Sequence, residues 1–298
     1  MNSEPSWDLY RTVLTVLREG SLSGAARTLG LTQPTVARHV DALEQAIGAK
    51  LFVRTQRGLS PTDRALALMP FAELMESTSS ALVRAAGSQA GTIAGTVRIS
   101  ASEVVSVEHL PPILMRMRQR HPALVLELVV SNAVDDLLQR RADIAVRMAA
   151  PVQQALVTKR LGSLTLGLYA HRDYLERRRT PVTMEELAQH DLIGFDIETP
   201  AIRALVNRFP AFERHLFALR VDSDVAQLAA IRAGFGIGVC QVAVAARDAN
   251  LCRLLPDTFG VDLPVWIAMH EDLRTSERYR EVFDSLVAEL GSIVGGTP

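Results

Sequence analysis

Gln33, Pro34, Thr35, Arg38 and His39 fall within seven residues, and their types suit contact with DNA: hydrogen-bonding groups set around an arginine. Arginine is the side chain best suited to bidentate contact with guanine, so Arg38 is the residue expected to discriminate between bases. Thr35 and His39 lie beside it, with Gln33 and Pro34 at the start of the segment. A second basic group, Arg54 and Arg57 in the turn Arg54-Thr55-Gln56-Arg57-Gly58, can reach phosphates or the minor groove.

A different chemistry gathers further along. Ser100 and Ser102, Ser131 and Asn132, Arg147, Phe195 and Ser223 each sit where a strand is expected to end or a helix to begin. In open parallel sheets, ligands collect beyond the carboxyl ends of strands, where helix N-termini present unpaired N–H groups. Helix capping accounts for each Ser or Asn singly, whereas together they outline a cleft for a small molecule. A buried Arg147 needs an anionic partner or several acceptors. An incoming anion would meet that need, and so would an acidic residue brought near by folding. Asp143 lies about 13 Å back along the same strand, too far for a simple pair.

Catalytic constellations are missing. Gly234-Phe235-Gly236-Ile237-Gly238 enters a strand from a helix, the reverse of a phosphate-binding loop, so it reads as a helix cap followed by close backbone packing. The histidines at 109, 121, 171, 190, 215 and 270 are scattered, without HExxH or CxxC spacing, and the serines lack a G-x-S-x-G elbow. Cys240 and Cys252 are too few for a disulfide framework or a four-ligand zinc site and read as reduced thiols. No metal, cofactor or enzymatic activity is expected.

These residues need elements to hold them. Trp7, Tyr10, Val13, Leu14 and Leu17 have helical spacing, and Ser21 or Ser23 can cap a second helix closed by Gly30. Thr32 caps a third helix with Pro34 in its first turn. On that helix Val36, Val40, Leu43 and Ile47 form the inward stripe, leaving the polar residues outside. Two helices joined by a Gly-containing turn, the second polar at its start, make a helix-turn-helix whose second helix enters the major groove. Residues 51–53 and 59–60 flank the basic turn as a two-stranded wing. From Thr62 to about Gly87 the pattern is one long helix, bent near Pro70. Its stripe of Leu68, Phe71, Leu74 or Met75, Thr78, Ala81 or Leu82, and Ala85 invites a partner helix. Gly87, Ser88, Gly91 and Gly95 mark a flexible boundary.

Beyond it, strands and helices alternate. Strands are expected at 96–100, 124–130 and 143–147, with helices at 104–120 and 134–140, as in a parallel sheet with right-handed crossovers. A second set has strands at 164–170, 192–195, 217–221 and 237–240 and helices at 184–189 and 225–233. A strand at 265–270 and a helix at 276–290 close the chain.

The N-terminal residues resemble those of the LysR-type transcriptional regulators. The likeness lies in Ser21-x-Ser23-x-x-Ala26, Leu29, Thr32-Gln33-Pro34-Thr35-Val36, Leu43-Glu44, Ile47-Gly48, Leu51-Phe52-x-Arg54 and Pro61-Thr62. Ala37 stands where that family usually has Ser, Ala65 where it has Gly, and Gln241 where Pro is common. The resemblance implies an α/β architecture with an N-terminal winged helix-turn-helix, a long linker helix and a two-lobed periplasmic-binding-protein-like effector domain. Its expected bounds are 1–61 for DNA binding, 62–90 for the linker and 91–298 for the effector domain. Lobe I takes 95–162 plus 266–298, and lobe II takes 163–265. The small-molecule cleft is implied at the strand ends named above.

At 298 residues and 48% hydrophobic, the chain has length enough for about two domains. No apolar run approaches the roughly 18 residues of a membrane span, and the first residues lack the pattern of an export signal, so a cytoplasmic location is expected. Net charge is +2 through Arg64 and −3 beyond it. A field that weak favours two DNA-binding units on one site, because counterion release grows with the phosphates neutralised. The expected partners are therefore a double-stranded DNA operator, a small-molecule effector with anions among the candidates, and further copies in a homodimer or homotetramer. An exported solute-binding protein and an α/β enzyme are the rival readings, opposed by the missing export signal and the missing catalytic constellation.

Overall fold

The computed structural model describes residues 4–55, 58–86, 93–132, 142–150 and 156–295. Contacts divide the chain into an N-terminal unit reaching Gly87 and a larger C-terminal unit. The N-terminal unit consists of α1 (Trp7–Glu19), α2 (Leu22–Leu29), α3 (Gln33–Ile47), β1 (Phe52–Thr55), β2 (Gly58–Pro61) and α4 (Asp63–Ala86). Local chemistry sets the starts of these helices. Ser21 Oγ accepts from Gly24 N at 3.0 Å, Thr32 Oγ1 from Thr35 N at 3.4 Å, and Thr62 Oγ1 from Ala65 N at 3.3 Å, each satisfying a first-turn amide. Val13, Val16, Ala25, Ala26, Val36, Val40, Leu43 and Leu51 then form one core. Ala25 and Ala26 are buried with no bulk to hold the helices apart. Full burial of Val36, Leu43 or Leu51 contributes about 1.5–3 kcal/mol each.

One buried charge ties α3 to the wing. Glu44 accepts from the backbone N–H groups of Leu51 at 2.8 Å and Phe52 at 3.2 Å, and from Lys50 Nζ at 2.5 Å. Burial alone would raise its pKa, but the ammonium and the two amides outweigh burial and hold the carboxyl below its ordinary value.

Along α4 the apolar residues divide differently from the expected stripe. Ala65 and Ala72 are buried and Leu68 packs on the core of its own unit. Leu66, Phe71, Met75, Leu82 and Val83 are exposed, Phe71 at 66% and Leu82 at 64%. Pro70 lies inside the helix.

The C-terminal unit begins with β3 (Gly95–Ala101), a π-helical turn (Val105–His109), α5 (Leu110–Arg120), β4 (Leu124–Val130), β5 (Ile144–Arg147) and β6 (Leu156–His171). It continues with α6 (Arg172–Arg177), β7 (Leu192–Gly194), α7 (Pro200–Arg208), β8 (Phe217–Arg220), α8 (Asp224–Arg232), β9 (Gly238–Gln241) and α9 (Val242–Ala245). Finally come β10 (Leu251–Leu254), β11 (Val261–His270) and α10 (Glu277–Gly295).

The main sheet runs β10-β6-β11-β5-β3-β4, with β9 also on β6. Only β3, β4 and β5 are mutually parallel, as expected. Antiparallel β11, β6, β9 and β10 make the whole sheet mixed. β7 and β8 form a separate parallel pair. The β6–β11 ladder slips register between Val265 and Trp266, opposite Gly162. Gly162 has φ +141°, and a Cβ there would lie 2.7 Å from Val294 Cγ1. The position excludes side chains on both counts. One core, built on Ile99, Ile113, Ile144, Ile267, Val282 and Leu286, occupies one end of the long strands. Leu168, Tyr174, Phe212, Phe217, Ile237 and Phe259 form another at the opposite end.

Several expected elements change. β6 starts at Leu156, well before residue 164, because Lys159 and Arg160 hide its alternation while the strand pairs with β11. The helix over 104–120 is not α-helical throughout. Pro111 and Pro112 supply no N–H, so the chain passes through the π-helical turn, with Leu110 N bonded to Val105 O. Arg247 Nη1 donates to the Glu108 carbonyl at 2.8 Å in place of the missing amide. The segment at 184–189 is a 3₁₀ helix at Glu185–Gln189, and α6, α7, α9 and β10 were not anticipated. Ile237 makes an isolated bridge to Leu192 just ahead of β9. The helix expected at 134–140 and the boundary residues Gly87, Ser88 and Gly91 lie outside the described residues.

A second buried polar group crosses between segments far apart in sequence. His109, 2% exposed, hydrogen-bonds through Nε2 to Gln241 Oε1 at 2.8 Å. An amide oxygen only accepts, so the ring carries its proton on Nε2, and Nδ1 faces Arg247 Nη2 at 3.4 Å. Burial holds the imidazole below its ordinary pKa, and the Arg247 guanidinium acts in the same direction.

Both buried groups lead to measurable outcomes. Glu44→Ala strands two wing amides at about 1–3 kcal/mol each, so chemical denaturation should show a markedly weaker N-terminal unit, with Glu44→Gln intermediate. With its folded pKa depressed, Glu44 contributes fully above about pH 4.3 and loses that contribution as pH falls through the folded value. His109 acts in a higher window. As pH drops below about 6.5 the unfolded chain takes up a proton that the folded one refuses, so stability falls. His109→Gln should flatten that part of the urea-midpoint profile, and an unchanged slope would contradict the assignment.

Candidate functional site

On α3 the inward residues are Val36, Val40 and Leu43, and Gln33, Pro34 and Arg38 are exposed on the other side. Thr35, Ala37 and His39 are half-buried. Among the described residues no carboxylate pairs with Arg38, so its guanidinium projects into solvent with its donors available. The Thr35 hydroxyl lies 2.9 Å from that of Thr32. His39 is more than a surface group: its Nδ1 meets Thr12 Oγ1 at 2.9 Å, and Thr12 gives its own proton to Asp8 O at 2.7 Å. The histidine N–H therefore donates to Thr12, which fixes the ring against α1 and leaves Nε2 facing out. In the wing, Arg54 stands opposite Leu59 in the β1–β2 ladder. Arg57 lies outside the described residues.

A cavity of about 400 Å³ opens in the C-terminal unit, lined by Ser102 just past β3, by Arg147 of β5 and by residues of α7, α8, β7 and β9. Among the sequence candidates, Ser102, Asn132, Arg147 and Phe195 line it. Ser100, Ser131 and Ser223 do not line it. Ser100 is fully buried on β3, where its hydroxyl accepts from Arg147 Nη2 at 2.7 Å. Arg147, 7% exposed, also donates to Val146 O at 2.9 Å. Ser131 N donates to Ala101 O at 2.9 Å, tying β4 to β3. Asp143 precedes β5; its carboxylate accepts from Arg98 N at 2.8 Å and its N–H donates to Arg98 O at 2.8 Å, so its role there is in the backbone ladder.

Ser223 caps α8 and takes part in a clasp across the cleft. Its Oγ accepts from Ala226 N at 3.3 Å and donates to Glu103 Oε2 at 2.7 Å. Glu103, just past β3, also accepts from Val225 N at 3.3 Å and so fills the positive end of α8. Asn132 joins the same corner, accepting from Glu103 N at 3.4 Å and donating to Asp224 Oδ2 at 3.4 Å. Burial pushes the Asp224 carboxyl above its ordinary pKa, and the neighbouring Glu103 charge adds to the rise. Cys240 also lines the cavity, and burial raises its thiol to about 12, which keeps it protonated and unreactive. Among the described residues no three His, Cys, Asp or Glu side chains gather to hold a metal.

Sequence reasoning missed Glu103 as a clasp, and Asp224, Gln227 and Gln241 as lining. It also missed the apolar wall of Leu205, Val206, Phe212, Phe217 and Leu263. Gln241 carried one signal, its departure from a usual proline, and its amide engages His109. The glycine-rich segment is structural, as expected: a Cβ on Gly236 would fall 1.9 Å from Asp191 O. No helix among the described residues is long and apolar enough to cross a membrane.

Comparison with known proteins covers both units. Residues 7–66 match the bacterial regulatory helix-turn-helix protein, lysR family, and residues 90–291 match the LysR substrate binding domain. The HTH-type transcriptional regulator CrgA of Neisseria meningitidis serogroup C (strain 8013) is 26% identical over 295 residues, 94% of this chain and 96% of that protein. An HTH-type transcriptional regulator of Xanthomonas campestris pv. campestris (strain 8004) is 29% identical over 210 residues, 70% of this chain and 58% of that relative's length. Among solved structures, CbnR, a LysR family transcriptional regulator, shares the fold with TM-score 0.68 at 17% identity, over 97% of this chain and 99% of that one. Full-length CbnR complexed with its target DNA gives 0.63 at 19% identity, over 94% and 99%. With residues 7–66 and 90–291 matched to the helix-turn-helix and the substrate-binding domain of the family, the chain belongs to the LysR family.

Proposed function

We propose that the protein is a transcriptional regulator that reads a double-stranded DNA operator through α3 and the β1–β2 wing, under the control of a small molecule held in the cavity of its C-terminal unit. The observation that carries this reading is the division of α3, with Val36, Val40 and Leu43 turned inward and Arg38 exposed without an acidic partner among the described residues. Gln33, Pro34, Thr35, Arg38 and His39 form the reading surface, and Arg54 and Arg57 contact phosphates or the minor groove. Ala37 brings no hydroxyl, so Thr35 takes the neighbouring phosphate contact. Residues 1–61, 62–90 and 91–298 act as DNA-binding, linker and effector segments. Lobe I is 95–162 with 266–298, and lobe II is 163–265. Ser102, Asn132, Arg147 and Phe195 meet the effector, while Ser100, Ser131 and Ser223 brace its walls. The protein binds its effector without transforming it and works in the cytoplasm beside its operator. Exposed Phe71 and Leu82 on α4 pack against another copy in a homodimer or homotetramer.

Recovery of bound genomic fragments with and without candidate metabolites tests the whole reading, and sequence-independent recovery would overturn it. Arg38→Ala should lose about 1–3 kcal/mol of base discrimination, whereas Arg57→Ala should weaken binding to all sequences alike and flatten its salt dependence. Equal specificity ratios for wild type and Arg38→Ala would remove Arg38 from base reading. Phe71→Asp combined with Leu82→Asp should lower the sedimenting mass and operator affinity together, because a charge buried at the seam is costly. An unchanged mass would mean that this face of α4 does not meet another copy.

A further inference from the structure

The cavity has two chemically distinct ends. Leu205 and Val206 of α7, Phe212, Phe217, Val239 and Leu263 make one end apolar, and water there would find no partners. Among the polar lining groups, several are already engaged. Arg147 donates to Ser100 Oγ and Val146 O, Gln227 Nε2 donates to Val221 O at 2.8 Å, and Gln241 Oε1 is taken by His109. Asp224 differs. Its half-buried carboxylate lines the cavity, and the one hydrogen bond it receives from the described residues is the long one from Asn132. An ionised carboxylate has about four acceptor sites. Glu103 stands beside it, its Oε2 accepting from Ser223 and Val225.

An anion approaching the start of α8 would meet the Asp224 carboxylate with Glu103 behind it, and that helix terminus is already filled. A donor would complete Asp224 and offset the local negative charge. The burial that raises the Asp224 pKa gives the same sense of an under-compensated charge. Resting on the reading of this cavity as the effector site, we infer that the effector is a largely apolar molecule whose polar end is a hydrogen-bond donor, an amine above all, received by Asp224. A cavity of about 400 Å³ is of ligand size, and its apolar end suits an aromatic ring or a branched alkyl group.

Calorimetry on the full-length protein at neutral pH, with 2-phenylethylamine, 2-phenylethanol and phenylacetate, varies the polar end on a constant body. The amine should bind tightest and phenylacetate weakest. Asp224→Asn should weaken the amine by about tenfold or more and leave the alcohol within about twofold, since the ion pair is lost while the Asn carbonyl oxygen still accepts from a hydroxyl. Val206→Trp should abolish binding of both by filling the apolar end. Phenylacetate binding tightest to wild type, or an amine indifferent to Asp224→Asn, would overturn the donor inference while leaving the cavity as an effector site. Absence of binding by all three probes, or an alcohol unaffected by Val206→Trp, would overturn the effector reading as well. The wild-type ranking decides the polar end even if a variant fails to fold.

Discussion

Antiparallel pairing of β6 with β11 is the constraint on which the C-terminal unit depends. The ladder runs from Val261 opposite Leu166 to His270 opposite Leu156, and both strands pass from one core into the other. Each core supplies walls to the cavity, and Leu166 and Leu263 on these strands line it directly. Because the ladder is continuous apart from the slip at Gly162, the two cores are not free to drift apart. The strands cross from one core to the other between Leu164 and Leu168 on β6 and between Val261 and Val265 on β11, so any relative rotation has to bend the paired strands there. A hinge made of paired strands permits small rotations and resists large ones.

Side-chain ties across the cleft supplement that ladder. Glu103 reaches from the end of β3 to the N-terminus of α8, and His109 reaches Gln241 at the end of β9. Each joins residues more than a hundred positions apart, and both border the cavity. A ligand that shifts α8 or β9 must disturb a charge-assisted contact or a buried neutral one. Small displacements inside the cavity thereby become changes in polar pairing outside it.

Legibility followed the range of the interaction. Caps at Ser21, Thr32 and Thr62 act over three residues, and α1 to α4 stood close to their expected bounds. β4 matched its expected span because its apolar run is uninterrupted. β6 was cut short since Lys159 and Arg160 look like loop, although a partner strand fixes their backbone. The polar rim of the cavity could be read in part from strand ends, which bring Ser102, Asn132 and Arg147 to one place. Its apolar wall could not, because Phe212 and Phe217 have the same residue pattern whether they fill a core or face a void. Asp224 and Glu103 were hidden for another reason: a carboxylate near a helix start reads as a cap until the other side of the cleft is known. In the sequence, the stripe on α4 was one surface. The structure divides it, since Leu68 packs on the core of its own unit and Phe71 and Leu82 face outward.

The two-sidedness of α3 bears on how such a protein changes over generations. Stability of the unit is invested in Val36, Val40, Leu43 and Glu44, and in the histidine link to Thr12, whereas Gln33 and Arg38 contribute little to packing. Mutational drift at the outer positions is thus nearly free of folding cost, and with α3 as the proposed reading helix a lineage can move to new promoters while keeping the same scaffold. Position 39 is the exception. A replacement without a matching donor surrenders the bond that ties this side chain to α1, so the outer face can vary on either side of His39 more readily than at His39 itself.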